Sequence, residues 1–156
     1  MKFTHLIEIN DPLLPLVEVL TREQLWRGLV LRAKAPKLFM PYLDRCAITA
    51  LSDSGFAREL QYGDLVIRDQ VTLTTGEAVH YAIPQQKDIP PSALTMTIEE
   101  PQAELLFVRF SYEDSQTEEA GSVDAFYNEF RHSAYQEADI DTIRLIRQMV
   151  QDGELG

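Results

Sequence analysis

Residues 122–153 read SVDAFYNEFRHSAYQEADIDTIRLIRQMVQDG, a run without proline and without glycine before Gly153. Apolar side chains recur at Val123, Phe126, Tyr127, Phe130, Ala134 and Ala138, then at Leu145 and Met149, as one stripe at about 100° per residue. Ser122 is placed to cap the first turn, and Asp124 sits where the helix dipole favours an anion. Arg144 and Arg147 lie toward the end that favours cations. A helix of this length spans about 45 Å at roughly 1.5 Å per residue. Phe130 falls in the middle of the stripe and His132 on the opposite side. Only a broad apolar surface buries such a stripe, and most of the preceding chain reads as strands.

Those strands show a period of two from Ala47 onward, at about 46–52, 56–62, 65–74, 77–83, 93–100 and 104–112. Gly63-Asp64 and Thr75-Gly76 carry hairpin turn chemistry, and Pro101-Gln102 also suits a tight turn. Pro84 to Pro91 is a longer polar connection, and Glu113 to Glu119 is an acidic loop. Before them, residues 2–10 alternate as a first strand that places His5 on its apolar side, and Asp11-Pro12 ends it. Thr21 and Gln24 have capping-box spacing, with Leu20 and Leu25 as a hydrophobic staple. The helix that follows carries Leu25, Trp26, Leu29, Val30 and Ala33 and ends before Pro36; a second short turn runs from Pro36 to Pro41. Trp26 reads as a packing residue. The expected fold is α+β, one domain over residues 1–156. Its seven-stranded antiparallel sheet has an apolar face that cannot cover itself. Curling around the long C-terminal helix, with two short helices between strands 1 and 2 as a prop, buries both.

The chain has 156 residues, is 45% hydrophobic and carries a net charge of -11. Such acidity argues against nucleic acid, because each phosphate contact needs a Lys or Arg, and against anionic membrane surfaces. Cys46 is the only cysteine, so no intrachain disulfide forms, and a cytoplasmic location is expected. The N-terminus lacks the apolar core of a signal peptide, and the Leu13–Leu20 run is too short for membrane insertion.

Ile9-Asn10-Asp11-Pro12, the stretch Leu20-Thr-Arg-Glu-Gln-Leu-Trp-Arg-Gly-Leu29, Pro36 through Phe39-Met-Pro41, and Cys46 give the chain a family likeness. Arg58-Glu-Leu, Gly63 and Asp69-Gln-Val-Thr-Leu73 extend it. With these motifs it resembles the helix-grip superfamily of START lipid-binding domains, plant pathogenesis-related allergens and aromatic polyketide cyclases, and most closely its AtaL-like branch. The resemblance implies a sheet gripping the C-terminal helix around an apolar cavity. It implies no defined reaction, because the superfamily spans binders and enzymes.

Motifs for common chemistry are absent: there is no G-x-S-x-G, P-loop or G-x-G-x-x-G. His5, His80 and His132 are scattered, so neither a metal nor another cofactor is expected. Glu99 and Glu100 are adjacent on a strand and point to opposite faces. A two-residue loop at Gly63-Asp64 places Tyr62 opposite Leu65, Leu60 opposite Ile67 and Arg58 opposite Asp69 on an otherwise apolar face. Arg58 and Asp69 then form either a structural ion pair or a pair that orients a polar group on a ligand, and either charge alone is costly there. A strict two-residue turn at Thr75-Gly76 puts His80 beside Val71 on the inner face; one extra loop residue puts Val79, Tyr81 and Ile83 there instead.

The expected activity is binding of a small, mostly apolar ligand, with Leu60, Tyr62, Ile67, Met96, Phe126 and Phe130 as lining and Arg58 and Asp69 as polar points. The alternative is a cofactor-free cyclase, dehydratase or isomerase in which Asp69, His80 or a tyrosine moves a proton. A third candidate is an interaction module forming a homodimer, because Leu105-Leu106-Phe107-Val108 is apolar on both faces.

Overall fold

Short loops between alternating segments build the sheet by adding each strand to its predecessor. In the computed structural model, which describes residues 2–14, 18–114 and 123–156 (the side chains of 123–128 excepted), seven strands form one antiparallel sheet. They are β1 (Lys2–Asn10), β2 (Arg45–Ser52), β3 (Gly55–Tyr62), β4 (Leu65–Thr74), β5 (Ala78–Ile83), β6 (Ser92–Gln102) and β7 (Leu105–Asp114). Helix α1 (Arg22–Lys34) and a 3-10 turn (Pro36–Leu38) lie between β1 and β2, and α2 (Val123–Gln151) follows β7. The spatial order is β1-β7-β6-β5-β4-β3-β2, so β2 through β7 are a meander and β1 closes onto its far end. This is the expected seven-stranded antiparallel helix-grip architecture, with the second short helix reduced to a single 3-10 turn.

Local chemistry sets the boundaries. Thr21 caps α1: its hydroxyl accepts from the Gln24 amide at 3.0 Å, while the Gln24 side chain accepts from the Thr21 amide at 2.9 Å. Asn10 ends β1 by acting as a substitute strand, its amide donating to the Leu20 carbonyl and its oxygen accepting from the Leu20 amide. Tyr62 faces Leu65 across a two-residue loop, in which Gly63 takes φ 60°. Gly28 has a different role. A Cβ there would stand 2.6 Å from Ile146, so its absence lets α1 and α2 approach closely.

One open register is decided and two expectations are corrected. The β4–β5 loop holds three residues, since Thr74 pairs with Ala78 and Gly76 takes φ 72°. The register therefore places Val79 and Tyr81 in the core and turns His80 to the other face, where its Nδ1 meets the Thr95 hydroxyl at 2.7 Å. The β6–β7 turn lies at Ala103-Glu104, not Pro101-Gln102, because Gln102 still pairs with Leu105. Pro101, which has no N–H for the ladder, sits in the irregularity between Glu99 and Gln102. Finally, α2 is rotated from the expected stripe. Phe130 is 72% exposed, and Ala134 and Ala138 face outward, whereas Asp139, Thr142, Ile143 and Ile146 are buried; of the expected stripe Met149 is buried and Leu145 half-buried. His132, expected outside, stacks on Phe3 at 4.0 Å between ring centroids. Among the described residues, the inward side of α2 ahead of Thr142 carries His132, Tyr135 and Asp139, which an apolar stripe does not follow.

The main core joins α1, α2 and the inner sheet face through Leu25, Leu29, Phe56, Val71, Phe110 and Ile146. Trp26 packs against it as expected. Leu106 and Val108 are buried in this core, and Leu105 and Phe107 are half-buried on the other face. Arg147 at the end of α2 donates to the carbonyls of Ile9 and Glu18, tying the helix to β1 and the following loop.

Candidate functional site

The β3–β4 register fixes the first part of the site. Arg58 and Asp69 are cross-strand partners on the inner face, with side chains 4% and 2% exposed. Arg58 Nε donates to Asp69 Oδ1 at 2.9 Å and a terminal nitrogen donates to Oδ2 at 2.6 Å, a two-point contact. The remaining terminal nitrogen donates to the Ala33 carbonyl at 3.0 Å, one of the last carbonyls of α1, which have no partner inside the helix. Burial works against the charge on Arg58, but the hydrogen bond and charge of Asp69 outweigh it and raise its pKa.

Above this pair lies a partly open cavity of about 320 Å³ between the sheet, α1 and α2. Leu60, Ile67, Ile83 and Leu94 provide apolar wall; Arg58, Asp69, Arg32 and the tyrosines Tyr62, Tyr81, Tyr112 and Tyr135 provide the polar part. Five residues expected as lining are brought together here: Arg58, Leu60, Tyr62, Ile67 and Asp69. Met96 is not among them. It is fully buried in the core opposite Val79, deeper along the sheet than the cavity. Phe130 is excluded by the rotation of α2, and the Phe126 side chain lies outside the described residues. His80 faces away, and both Asp69 oxygens are engaged by Arg58, so neither candidate proton carrier is placed as a free base in the cavity.

Two features go beyond the sequence reading, in which Tyr81 faces inward only in the longer of two loop registers. The first is the stack around Tyr81, which the longer β4–β5 loop brings inside. Its ring lies 4.9 Å from the Arg58 guanidinium carbon and 5.3 Å from that of Arg32 on α1. The Tyr81 hydroxyl and Arg32 Nε are buried without a hydrogen-bond partner. Burial opposes the Arg32 charge, while Tyr81, Tyr112 and Asp139 nearby favour it and leave its pKa raised.

The second feature is a carboxylate on α2. Asp139, 1% exposed, accepts from the Tyr112 hydroxyl at 2.6 and 2.7 Å and lies 2.6 Å from His5 Nε2. Burial pushes the Asp139 pKa up against the lowering effect of the Tyr112 and His5 hydrogen bonds. Tyr112 is also pushed up, first by burial and then by the charge of Asp139 and the hydrogen bond to it, so it stays protonated. Its ring stacks on Tyr135 at 4.0 Å, and Arg131 bridges Tyr135 to Asp114 at that end of the cavity. The His5–Asp139 link explains a histidine on an apolar strand face, but no local spacing joins residues so far apart in sequence.

Among the described residues, no group of three or more His, Cys, Asp or Glu is placed to hold a metal ion. No helix among them is long and apolar enough to cross a membrane.

The family model described as AtaL, acetylaranotin biosynthesis cluster protein L, matches residues 7–153. No curated protein matches the sequence significantly. The di-domain ARO/CYC StfQ of the steffimycin biosynthetic pathway superposes with a TM-score of 0.71 at 9% identity, over 97% of this chain and 51% of that one. Human STARD10 gives 0.63 at 10% identity, over 96% and 64%, and the Zhui aromatase/cyclase from Streptomyces sp. R1128 gives 0.58 at 10%, over 94% and 90%. The chain thus spans about half the length of the di-domain structure. At these identities the likeness is one of fold, the helix-grip fold of polyketide cyclases and START domains.

Proposed function

The chain belongs to the AtaL family, and from that starting point we propose that it binds a small, mostly apolar molecule in the cavity between the sheet and α2. The observation that carries this reading is the cavity itself: about 320 Å³, walled by Leu60, Ile67, Ile83 and Leu94, with its polar groups gathered on one side. Ligand sites combine such apolar walls with a few convergent polar groups, and this volume lies at their small end. The Arg58–Asp69 pair satisfies itself and holds β3, β4 and α1 in place beneath the ligand. The neutral dye N-phenyl-1-naphthylamine should bind saturably at one site per chain, and Ile67→Trp, which fills the cavity from β4, should weaken it at least about tenfold. Non-saturating dye binding, indifferent to Ile67→Trp in a folded variant, would overturn the reading.

A second reading, a cofactor-free enzyme of cyclase, dehydratase or isomerase type, draws on one observation. Tyr112 lines the cavity and leans on the buried Asp139–His5 pair, an arrangement able to pass a proton between the wall and the interior. Turnover of a compound from a metabolite extract that survives in His80→Ala, on the other sheet face, but not in Tyr112→Phe would favour it.

A further inference from the structure

The cations that border the cavity differ in what they meet. Arg58 is held by Asp69 and Arg131 by Asp114. Arg32 also lines the cavity, yet among the described residues no carboxylate comes within ion-pair distance of it, and its buried Nε makes no hydrogen bond. Asp139, a buried carboxylate whose charge acts on Arg32, is occupied on both oxygens by Tyr112 and, on one, by His5. Beside Arg32, the Tyr81 hydroxyl is a second buried polar group without a partner, and Tyr81 lines the same cavity. Even where the Tyr81 hydroxyl oxygen serves Arg32, its proton and the other guanidinium N–H groups remain for a partner, and buried polar groups are nearly always satisfied. Both side chains can donate a hydrogen bond, and one of them carries a permanent positive charge.

We infer that the ligand is an acid: an apolar body bearing a carboxylate, whose oxygens accept hydrogen bonds from Arg32 and the Tyr81 hydroxyl. This rests on the cavity reading above and sharpens it. Withdrawing a carboxylate from water is costly, but here the opposing cation is already half-buried with its Nε fully enclosed, and the pairing relieves both. The Tyr81 ring holds the guanidinium from its face, which leaves the guanidinium edge for planar, two-point contact with a carboxylate. The Arg58 guanidinium carbon, held by Asp69, also lies 4.9 Å from the centre of the same ring.

The test displaces N-phenyl-1-naphthylamine with 2-naphthoate and with 2-naphthylmethanol, two molecules of the same body with and without the charge. A charge-assisted contact should make the naphthoate bind about 10- to 100-fold more tightly. Arg32→Met should bring the two within about twofold, a ratio read within each folded protein whatever its dye affinity, Arg32→Lys should retain part of the preference, and Tyr81→Phe should reduce it by about threefold. The comparison in the unaltered protein needs no variant to fold. Equal displacement by acid and alcohol would overturn the acid inference and leave the cavity reading standing. Failure of dye, acid and alcohol alike to bind would overturn both. A naphthoate preference undiminished in folded Arg32→Met would show that another group selects the charge.

Discussion

Separating Arg58 from Asp69 tests the hairpin register and the energetics of the cavity floor together. Each side chain is nearly inaccessible, and the pair shares two hydrogen bonds of 2.9 and 2.6 Å. Removing one partner from a buried pair costs about 3–5 kcal/mol, because the other charge remains. The two single variants should differ in how they respond to pH. In Arg58→Met the stranded carboxylate can escape by taking up a proton; for a carboxyl of ordinary pKa, near 3.9, that costs about 4 kcal/mol at pH 7 and about 1 kcal/mol at pH 4.5. Loss of the hydrogen bond to the Ala33 carbonyl adds about 1 kcal/mol at either pH. The deficit of Arg58→Met should therefore reach about 5 kcal/mol at pH 7 and shrink by up to about 3 kcal/mol at pH 4.5. Asp69→Asn strands a guanidinium that cannot deprotonate, so its deficit should be nearly constant over that range. The double substitution should recover much of the single losses. Urea unfolding followed by Trp26, which packs against the core, measures all four proteins. Additive losses, or an Arg58→Met deficit that does not move with pH, would refute the reasoning.

Exposed Phe130 should tolerate alanine within about 0.5 kcal/mol, whereas Phe110→Ala, fully buried on β7, should cost about 3–5 kcal/mol; equal losses in thermal unfolding would contradict the rotation found for α2. Gly28→Ala places a Cβ 2.6 Å from Ile146 and should destabilise by about 1–3 kcal/mol despite the better helix propensity of alanine, with recovery in Gly28→Ala/Ile146→Val. Stabilisation by Gly28→Ala, seen as a higher urea midpoint, would mean that the two helices do not meet there.

The sequence shows strand order and the β3–β4 register because Gly63-Asp64 permits one close turn and everything after it follows at period two. The next turn has the same appearance but holds one residue more. Thr75-Gly76-Glu77 decides whether His80 or Tyr81 faces inward, and composition cannot decide it. On α2 the apolar pattern misleads for a physical reason: the inward face bears Tyr135 and Asp139, whose burial is sustained by Arg131, Tyr112 and His5 from elsewhere in the chain. A carboxylate is placed inside only when distant partners satisfy it, and those partners are visible only in three dimensions. The cavity floor is therefore legible and its helical wall is not: Tyr81 faces inward in only one of two registers, Arg32 and Tyr112 are not singled out, and Met96 and Phe130 are expected in their place.

The pairing of β1 with β7 has a consequence for the order in which the molecule assembles. Strands β2 to β7 grow by neighbouring hairpins, whereas Lys2 must find Glu113, and Asn10 must find Leu106, across the whole meander. Closing so long a loop is slow, and it brings little until α2 docks beside it through His5–Asp139 and Arg147–Ile9. The meander is thus expected to form first, and β1 and α2 to lock late. Tyr135 on α2 completes the cavity, so a binding site exists only after that last event. A bound molecule should accordingly act as a latch: it should leave the folding rate almost unchanged and slow unfolding nearly in full proportion to its affinity.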